Sequence, residues 1–259
     1  MIDAFLRRTG LHGTARNVVR CLGSWTPSAR RLRRRMLDFY RSCLDPGDLV
    51  YDVGANDGER TALFLALGAR VVAVDPQPAC VARLRRRFRG RSDVTVAGKA
   101  LGAEEGTATL RVADADTLSS LSPAWIAKVR ASGRFTAYRW DRSVTVPVTT
   151  LDALIAEHGE PAFVKIDVEG FEAEVLRGLS RPVRRLSFEF TPEHLDPARD
   201  AIHLLTRLGT VRFNYAVGDS MRYALPAWLP AEAMIRTLET LPDPGVFGDV
   251  YARFDSEVP

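Results

Sequence analysis

Apolar residues along this chain fall into short unbroken runs that alternate with stretches of helical period. The first run, Leu49–Val53, has the length of a buried strand. Residues 61–67 then place apolar side chains at helical spacing, and Gly68 stands where a helix would stop. Arg70–Val74 is a second buried-strand run. A helix is predicted over 78–89, with Val81, Leu84 and Phe88 on one face, and a short strand at Val94–Ala97. Residues 107–112 alternate as a half-buried strand, 117–121 are small and polar like a loop, and 123–130 predict a short helix. Alternation returns at 144–148, where Pro147 predicts an edge strand. Beyond it come a helix at Leu151–His158, a strand from Ala162, a helix over 171–179 and the strand Arg185–Phe190. A helix over 198–208 and strands at 211–215 and 246–252 complete the pattern. Such alternation implies a mostly parallel sheet with helices on both faces.

Ahead of the first strand, Asp45-Pro46-Gly47-Asp48 is turn chemistry. Residues 1–45 therefore read as a helical extension and 46–259 as the main domain. Within the extension, Trp25-Thr26-Pro27-Ser28 offers a cap and an N-terminal proline for a basic amphipathic helix over 30–43.

Composition narrows the class. The chain has 259 residues, 46% hydrophobic and 26% charged, which suits one globular domain with a sizeable core. Cys21, Cys43 and Cys80 show no metal or redox spacing, no run is long enough to cross a bilayer, and none reads as a signal peptide. The expected compartment is the cytoplasm. The net charge of +4 is carried by arginines, since only Lys99, Lys128 and Lys165 are lysine. The clusters at 30–35 and 83–89 lie on predicted helices without interleaved aromatics, so they read as solvated faces, and no nucleic-acid partner is expected.

The chemistry concentrates at two strand ends. After Leu49–Val53, Gly54 and Gly58 bracket a turn where the backbone must bend sharply and let a ligand approach. Asp75-Pro76 closes the second strand, the position from which a nucleotide-binding unit anchors a ribose. The glycine spacing that seats a diphosphate is missing: Asn56 fills the second glycine's place, and Asp52 would repel a phosphate. Both departures point to S-adenosylmethionine, which has a sulfonium, an ammonium and a ribose diol but no phosphate. At the second site, the run over 162–166 ends in Asp167 and Glu169 with Lys165 just before them. A lysine and two acids are costly in a core, so they are expected to face the same crevice. Glu189 lies near the end of the next strand.

Four passages together resemble the FkbM-type S-adenosylmethionine-dependent methyltransferases. They are Asp52-Val53-Gly54-Ala55-Asn56-Asp57-Gly58, Val74-Asp75-Pro76, VPVTTLDAL over 146–154 and KIDVEGFE over 165–172. The likeness spans about residues 48–190, with a weaker continuation to Ala252. Two positions depart from the family: Asp75 where glutamate is usual, and Asp57 where an aliphatic residue is common. The resemblance implies a class I methyltransferase (Rossmann-like) α/β fold, with a seven-stranded, mostly parallel sheet and an antiparallel final hairpin. It also implies methyl transfer to a hydroxyl of a sugar, glycan or natural-product small molecule.

On that footing Gly54, Ala55 and Gly58 are assigned to backbone approach, and Asp52 and Asn56 to the methionine end of the cofactor. Asp75 with Pro76 is assigned to the ribose, and Ala100-Leu101 to the adenine. Asp167 is the first choice for base or acceptor-orienting group. Glu169 and Glu189 could act instead, or could join Asp167 around a divalent metal such as magnesium. Lys165 would hold a carboxylate in place. His194 is expected at the solvent surface, and His12, His158 and His203 have no identifiable partners. A nicotinamide-dependent oxidoreductase and a non-catalytic cofactor-binding protein remain as alternatives. The sequence is silent on the acceptor's identity and the oligomeric state.

Overall fold

The computed structural model describes residues 27–133, 135, 137–241 and 246–254. Trp25, Thr26, Cys21 and His12 lie outside the described residues.

Seven strands form the main sheet: β1 (Leu49–Val53), β2 (Arg70–Val74), β3 (Val94–Ala97), β7 (Phe163–Ile166), β8 (Arg185–Phe190), β9 (Val211–Val217) and β10 (Gly248–Phe254), in the order β3-β2-β1-β7-β8-β10-β9. The first five are parallel, and β10 inserts antiparallel between β8 and β9. A second sheet sets β6 (Arg142–Thr149) between β4 (Ala100–Leu101) and β5 (Gly106–Val112).

Strand alternation sorts the helices onto two faces. Leu49, Tyr51 and Val53 point with Val164, Ile166 and Phe188 to one side. There they meet α5 (Leu151–His158), α6 (Glu172–Arg177), α7 (Asp196–Thr206) and α8 (Ala231–Glu239). Val50, Val71, Ala73 and Phe163 point the other way. Against them pack α1 (Pro27–Arg41), α2 (Glu59–Ala66) and α3 (Pro78–Arg87). The C-terminal end of α1 docks by Phe39 and Tyr40, both buried, while its arginines stay in solvent. Residues between β5 and β6, with α4 (Pro123–Ala131) at their centre, gather a small core of their own from Leu118, Trp125, Val129, Phe135 and Trp140.

Three elements differ from expectation, one of them the short β4, where no strand was predicted. Strand β6 is the middle strand of its sheet, not an edge. Pro147 is tolerated because β4 pairs only with Val148 and Thr149, so the flank beside the proline carries no ladder. Helix α8 was not expected, although Met234, Ile235 and Leu238 make a buried helical stripe. Among the described residues no helix is long and apolar enough to cross a membrane.

Candidate active site

A cavity of about 860 Å³ opens beyond the carboxyl ends of the parallel strands, where α/β sheets bind ligands. One end of it is built by the turn after β1. Gly54 (φ 83°) and Asn56 (φ 50°) adopt left-handed backbone, and the N–H groups of Gly54 and Ala55 both donate to the Val74 carbonyl, at 2.9 and 3.0 Å. No side chain fits at Gly54, because a Cβ there would run into the carbonyl of Asp167. The Asp167 N–H in turn donates to Val53 at 2.9 Å, so the ends of β1 and β7 are locked together.

Asp75 closes this end. Its carboxylate accepts from the Asn56 N–H at 2.9 Å and the Gln77 N–H at 2.8 Å. Burial pushes its pKa up to about 6 against those two bonds. Pro76, Ala100 and Leu101 line the same end. Gln77 ties it to the segment between β5 and β6, donating to the Asp116 carbonyl at 2.8 Å and accepting from Ser119 at 3.2 Å. A backbone cradle that excludes side chains, beside a half-satisfied carboxylate, fits a ribose-bearing cofactor without phosphate.

The other end is acidic. Asp167, Glu169 and Glu189 line the cavity, with one carboxylate oxygen of each within 4.8 Å of the other two. Lys165 reaches Asp167 from behind, Nζ to Oδ2 2.7 Å. Burial disfavours the Lys165 ammonium, yet Asp167 and Asp249 beside it raise its pKa above the ordinary lysine value. The loop carrying Glu169 is bent, with φ 55° at Glu169 and 86° at Gly170. Glu172 holds that bend: its buried carboxylate accepts the N–H groups of Val168 and Gly170, each at 3.1 Å. Burial drives the Glu172 pKa up to about 7, opposed by those N–H groups. From the segment between β5 and β6, the buried Ser120 hydroxyl donates to the Glu169 carbonyl at 2.6 Å.

Three of the expected site residues stand behind the wall instead of on it. Asp52 is 1% exposed and accepts a 2.6 Å bond from Thr61 of α2. It sits on the α1–α3 face of the sheet because it alternates with Tyr51 and Val53, and so faces α2 and not the cavity. Gly58 caps α2 and packs on Leu84 and Phe88, and Lys165 stands behind Asp167, to which it donates at 2.7 Å. Asp52 pairs in register with Lys165, Lys165 with Ser187, Ser187 with Tyr251 and Tyr251 with Asn214, a buried polar row across the sheet. His194 is not at the solvent surface. Its side chain is 9% exposed and its Nδ1 lies 2.9 Å from the Lys128 ammonium, away from the cavity.

Residues the sequence did not single out also shape the site. Arg60, on α2, binds the Met36 sulfur of α1 and Asp219 in the loop after β9, both at 3.0 Å, and so joins three segments at the rim. Glu172 lies within the KIDVEGFE passage; Gln77, Ser120, Trp125 and Arg60 carry no local signal.

The strand order, the antiparallel last hairpin, and a cavity with an acid after the second strand define a class I methyltransferase architecture. Residues 52–215, well over half the chain, match the family described as the methyltransferase FkbM domain. The chain belongs to that family. It is 30% identical over 169 residues to the hexuronic acid methyltransferase AglP of Haloferax volcanii, spanning 61% of this chain and 62% of that relative's length. The precorrin-6y C5,15-methyltransferase of Geobacter metallireducens matches with a TM-score of 0.47 at 11% identity, covering 90% of this chain and 92% of that one. A TehB-like methyltransferase of Corynebacterium glutamicum matches with a TM-score of 0.45 at 10% identity, covering 98% and 97%.

Proposed function

We propose that the protein is an O-methyltransferase acting on a hydroxyl of a sugar, glycan or related small molecule, not on nucleic acid. The observation that carries this reading is Asp167, held by Lys165 at 2.7 Å and standing in the cavity with Glu169 and Glu189. Carboxylates that accept hydrogen bonds are what a hydroxylated acceptor requires. The likeness to a methyltransferase of hexuronic acid supports the same class.

S-adenosylmethionine supplies an activated methyl on a sulfonium. In this reading Asp75 receives the ribose hydroxyls, Gly54, Ala55 and Asn56 present backbone at close range, and Ala100 with Leu101 borders the adenine. Asp167 orients the acceptor hydroxyl and takes its proton as the new bond forms. The Lys165 ammonium fixes that carboxylate in orientation through their 2.7 Å contact, which aligns it with the acceptor. In-line displacement at a sulfonium carbon depends more on alignment than on basicity. A divalent metal is a second reading of the same acids. The 4.8 Å grouping of Asp167, Glu169 and Glu189 favours it, and a metal there would lower the pKa of the acceptor hydroxyl.

Calorimetric titration with S-adenosylhomocysteine, in wild type and Asp75→Ala, tests the cofactor end. Transfer of labelled methyl from S-adenosylmethionine to a panel of methyl glycosides and uronosides, with magnesium or with chelator, tests the acceptor and the metal. Micromolar binding lost in the variant, and label in a hydroxyl ether, is the expected result. Label in no hydroxyl of the panel, or only in the uronoside carboxylate as a methyl ester, would overturn methylation of a sugar hydroxyl, and undiminished turnover in chelator would remove the metal.

A further inference from the structure

The buried polar row across the sheet is satisfied at its two ends and open in its middle. Asp52 accepts from Thr61 at 2.6 Å. Asn214 donates to the Leu225 carbonyl at 3.0 Å and accepts from the Leu225 N–H at 3.2 Å. Between them, the hydroxyls of Ser187 and Tyr251 have no hydrogen-bond partner among the described residues. Nor does the hydroxyl of Tyr40, which packs against the same face from α1. All three residues are at most 1% exposed, so bulk solvent does not reach them. Of the four buried side-chain polar atoms without a partner among the described residues, three gather here. Buried hydroxyls are ordinarily paired, so such a concentration needs a physical account.

The three hydroxyls share one neighbourhood. Lys165, Ser187 and Tyr251 are register partners on β7, β8 and β10, so their side chains stand side by side on one face. The end of α1 lies across the same three strands. Tyr40 packs on Phe163 of β7 with ring centroids 5.9 Å apart, and Phe39 packs on Tyr251 of β10 at 5.1 Å. Between these contacts, Arg185 of β8 donates to the Ser42 carbonyl at 3.1 Å. The Tyr40 phenol is close enough to Lys165, Asp52 and Asp249 to feel their charges, and the Tyr251 phenol close enough to feel Tyr40. Serine is far shorter than the lysine and tyrosine that flank it, which leaves room above Ser187 and beneath α1. Asp167 and Glu189 follow Lys165 and Ser187 by two positions and line the cavity, so this neighbourhood lies directly behind the acidic end.

We propose that an internal water site lies above Ser187, and that Tyr40 acts through it as a positioning residue for the Lys165–Asp167 pair. Water both donates and accepts, so it can meet the hydroxyls of Ser187, Tyr40 and Tyr251 and the Lys165 ammonium together. The charges favour a neutral occupant. An anion would face Asp52 and Asp249, and a cation would face Lys165 and Arg60. The result is a connected path from α1 to the cavity: Tyr40 to water, water to the ammonium, and the ammonium to Asp167 at 2.7 Å. The basic N-terminal helix thereby belongs to the machinery that holds the carboxylate. The positioning role rests on the O-methyltransferase reading of Asp167; the water site does not.

The sign of a stability change separates a wet site from a dry one. Removing a hydroxyl that has no partner relieves the fold, whereas removing one that binds a held water weakens it. Tyr40→Phe, Tyr251→Phe and Ser187→Ala each delete one hydroxyl and keep the rest of the packing. Each is expected to lower Tm by about 2–4 °C. A crystal structure of the whole protein is expected to show water within hydrogen-bond distance of Ser187 Oγ, the Lys165 ammonium and a tyrosine hydroxyl. Unchanged or raised Tm in these variants, or hydroxyls that meet no water in the crystal, would overturn the site. The positioning role is read from transfer of labelled methyl to the panel of glycosides and uronosides. Tyr40→Phe should lower kcat about fivefold, while acceptor KM and affinity for S-adenosylhomocysteine stay within about twofold. Equal kcat in variant and wild type would overturn the positioning role. If wild type labels no hydroxyl of the panel, the O-methyltransferase reading falls and the positioning role with it, while Tm and the crystal structure still decide the water site.

Discussion

The two ends of the cavity are built in opposite ways. The end proposed for the cofactor comes from one continuous stretch, residues 53–101, in which each turn follows directly on its strand. The acidic end draws on Asp167 and Glu169 after β7, Glu189 on β8, the segment around α4, and rim residues from α1 and the loop after β9. Local backbone rules govern the first end: positive φ at Gly54 and Asn56, and backbone N–H groups closing on Asp75. The second end is held by contacts between distant segments, such as Ser120 to Glu169 and Lys165 to Asp167. A cofactor shared by many enzymes can be met by local geometry. An acceptor peculiar to one enzyme is met by whatever the surrounding segments bring.

Substitutions can break this contrast. The largest effect is expected for Asp167→Asn, which should lower turnover by about 10²-fold or more while affinity for S-adenosylhomocysteine stays within a few-fold. Comparable losses in both quantities would mean that the two ends are not separable. Gly54→Ala should do the reverse of a clean separation, because its Cβ collides with the Asp167 carbonyl and disturbs both ends together. A drop of about tenfold in cofactor affinity, together with a lowered Tm, is expected there. Asp75→Ala should weaken S-adenosylhomocysteine by about tenfold and leave acceptor KM unchanged at saturating cofactor.

Two milder tests use pH. The folded-state pKa of Asp75 is about 6, above the ordinary 3.8, and the ribose hydroxyls are best accepted by the ionised form. Cofactor affinity should therefore decline as pH falls through about 6, and an Asp75→Asn variant should show no such step in calorimetry. Glu172 has a folded pKa of about 7 against an unfolded value of 4.5. A carboxyl raised in this way stabilises the fold most below 4.5, and that contribution is lost as pH rises to about 7. Wild-type Tm should drift down over this interval by a few degrees, and Glu172→Gln should flatten the drift. A rise in Tm over the same interval would contradict the buried, weakly ionised Glu172.

The same contrast decides what the sequence reveals. Strands β1 and β2 are legible because burial on both faces leaves nearly unbroken apolar runs of strand length. Asp75 and Gly54 are legible because the chemistry of a strand–turn–helix is local. Lys165 and Asp167 are legible as an expensive pair, and alternation alone places them on one side of the strand. Asp52 misleads: a carboxylate next to the glycine turn looks ligand-facing, and only the face it occupies in the folded sheet turns it to Thr61. Pro147 misleads in a similar way, since a proline forbids a ladder bond only on the flank where one exists, and β4 stops short of it. Ser120 and Arg60 cannot be found without the fold, because Glu169 lies 49 residues from Ser120 and Asp219 lies 159 residues from Arg60. Helix α8 is a different case. Its stripe of Met234, Ile235 and Leu238 is written in the sequence, but it follows the proline-punctuated passage at 226–230, which reads as irregular.

The Arg60 contacts have a consequence for the order in which the molecule is made. Arg60 binds Met36, 24 residues back, and Asp219, 159 residues ahead. During synthesis from the N-terminus, the first three strands and the glycine turn are complete while Asp219 has not yet been joined to the chain. For that interval the guanidinium lacks its carboxylate, and the rim beside α1 has nothing to close against. The rim contact of Arg60 thus forms only after most of the parallel sheet has been made, and β10 must still insert between β8 and β9. A truncated chain that stops before β9 carries a nearly whole cofactor turn behind a doorway with one post missing.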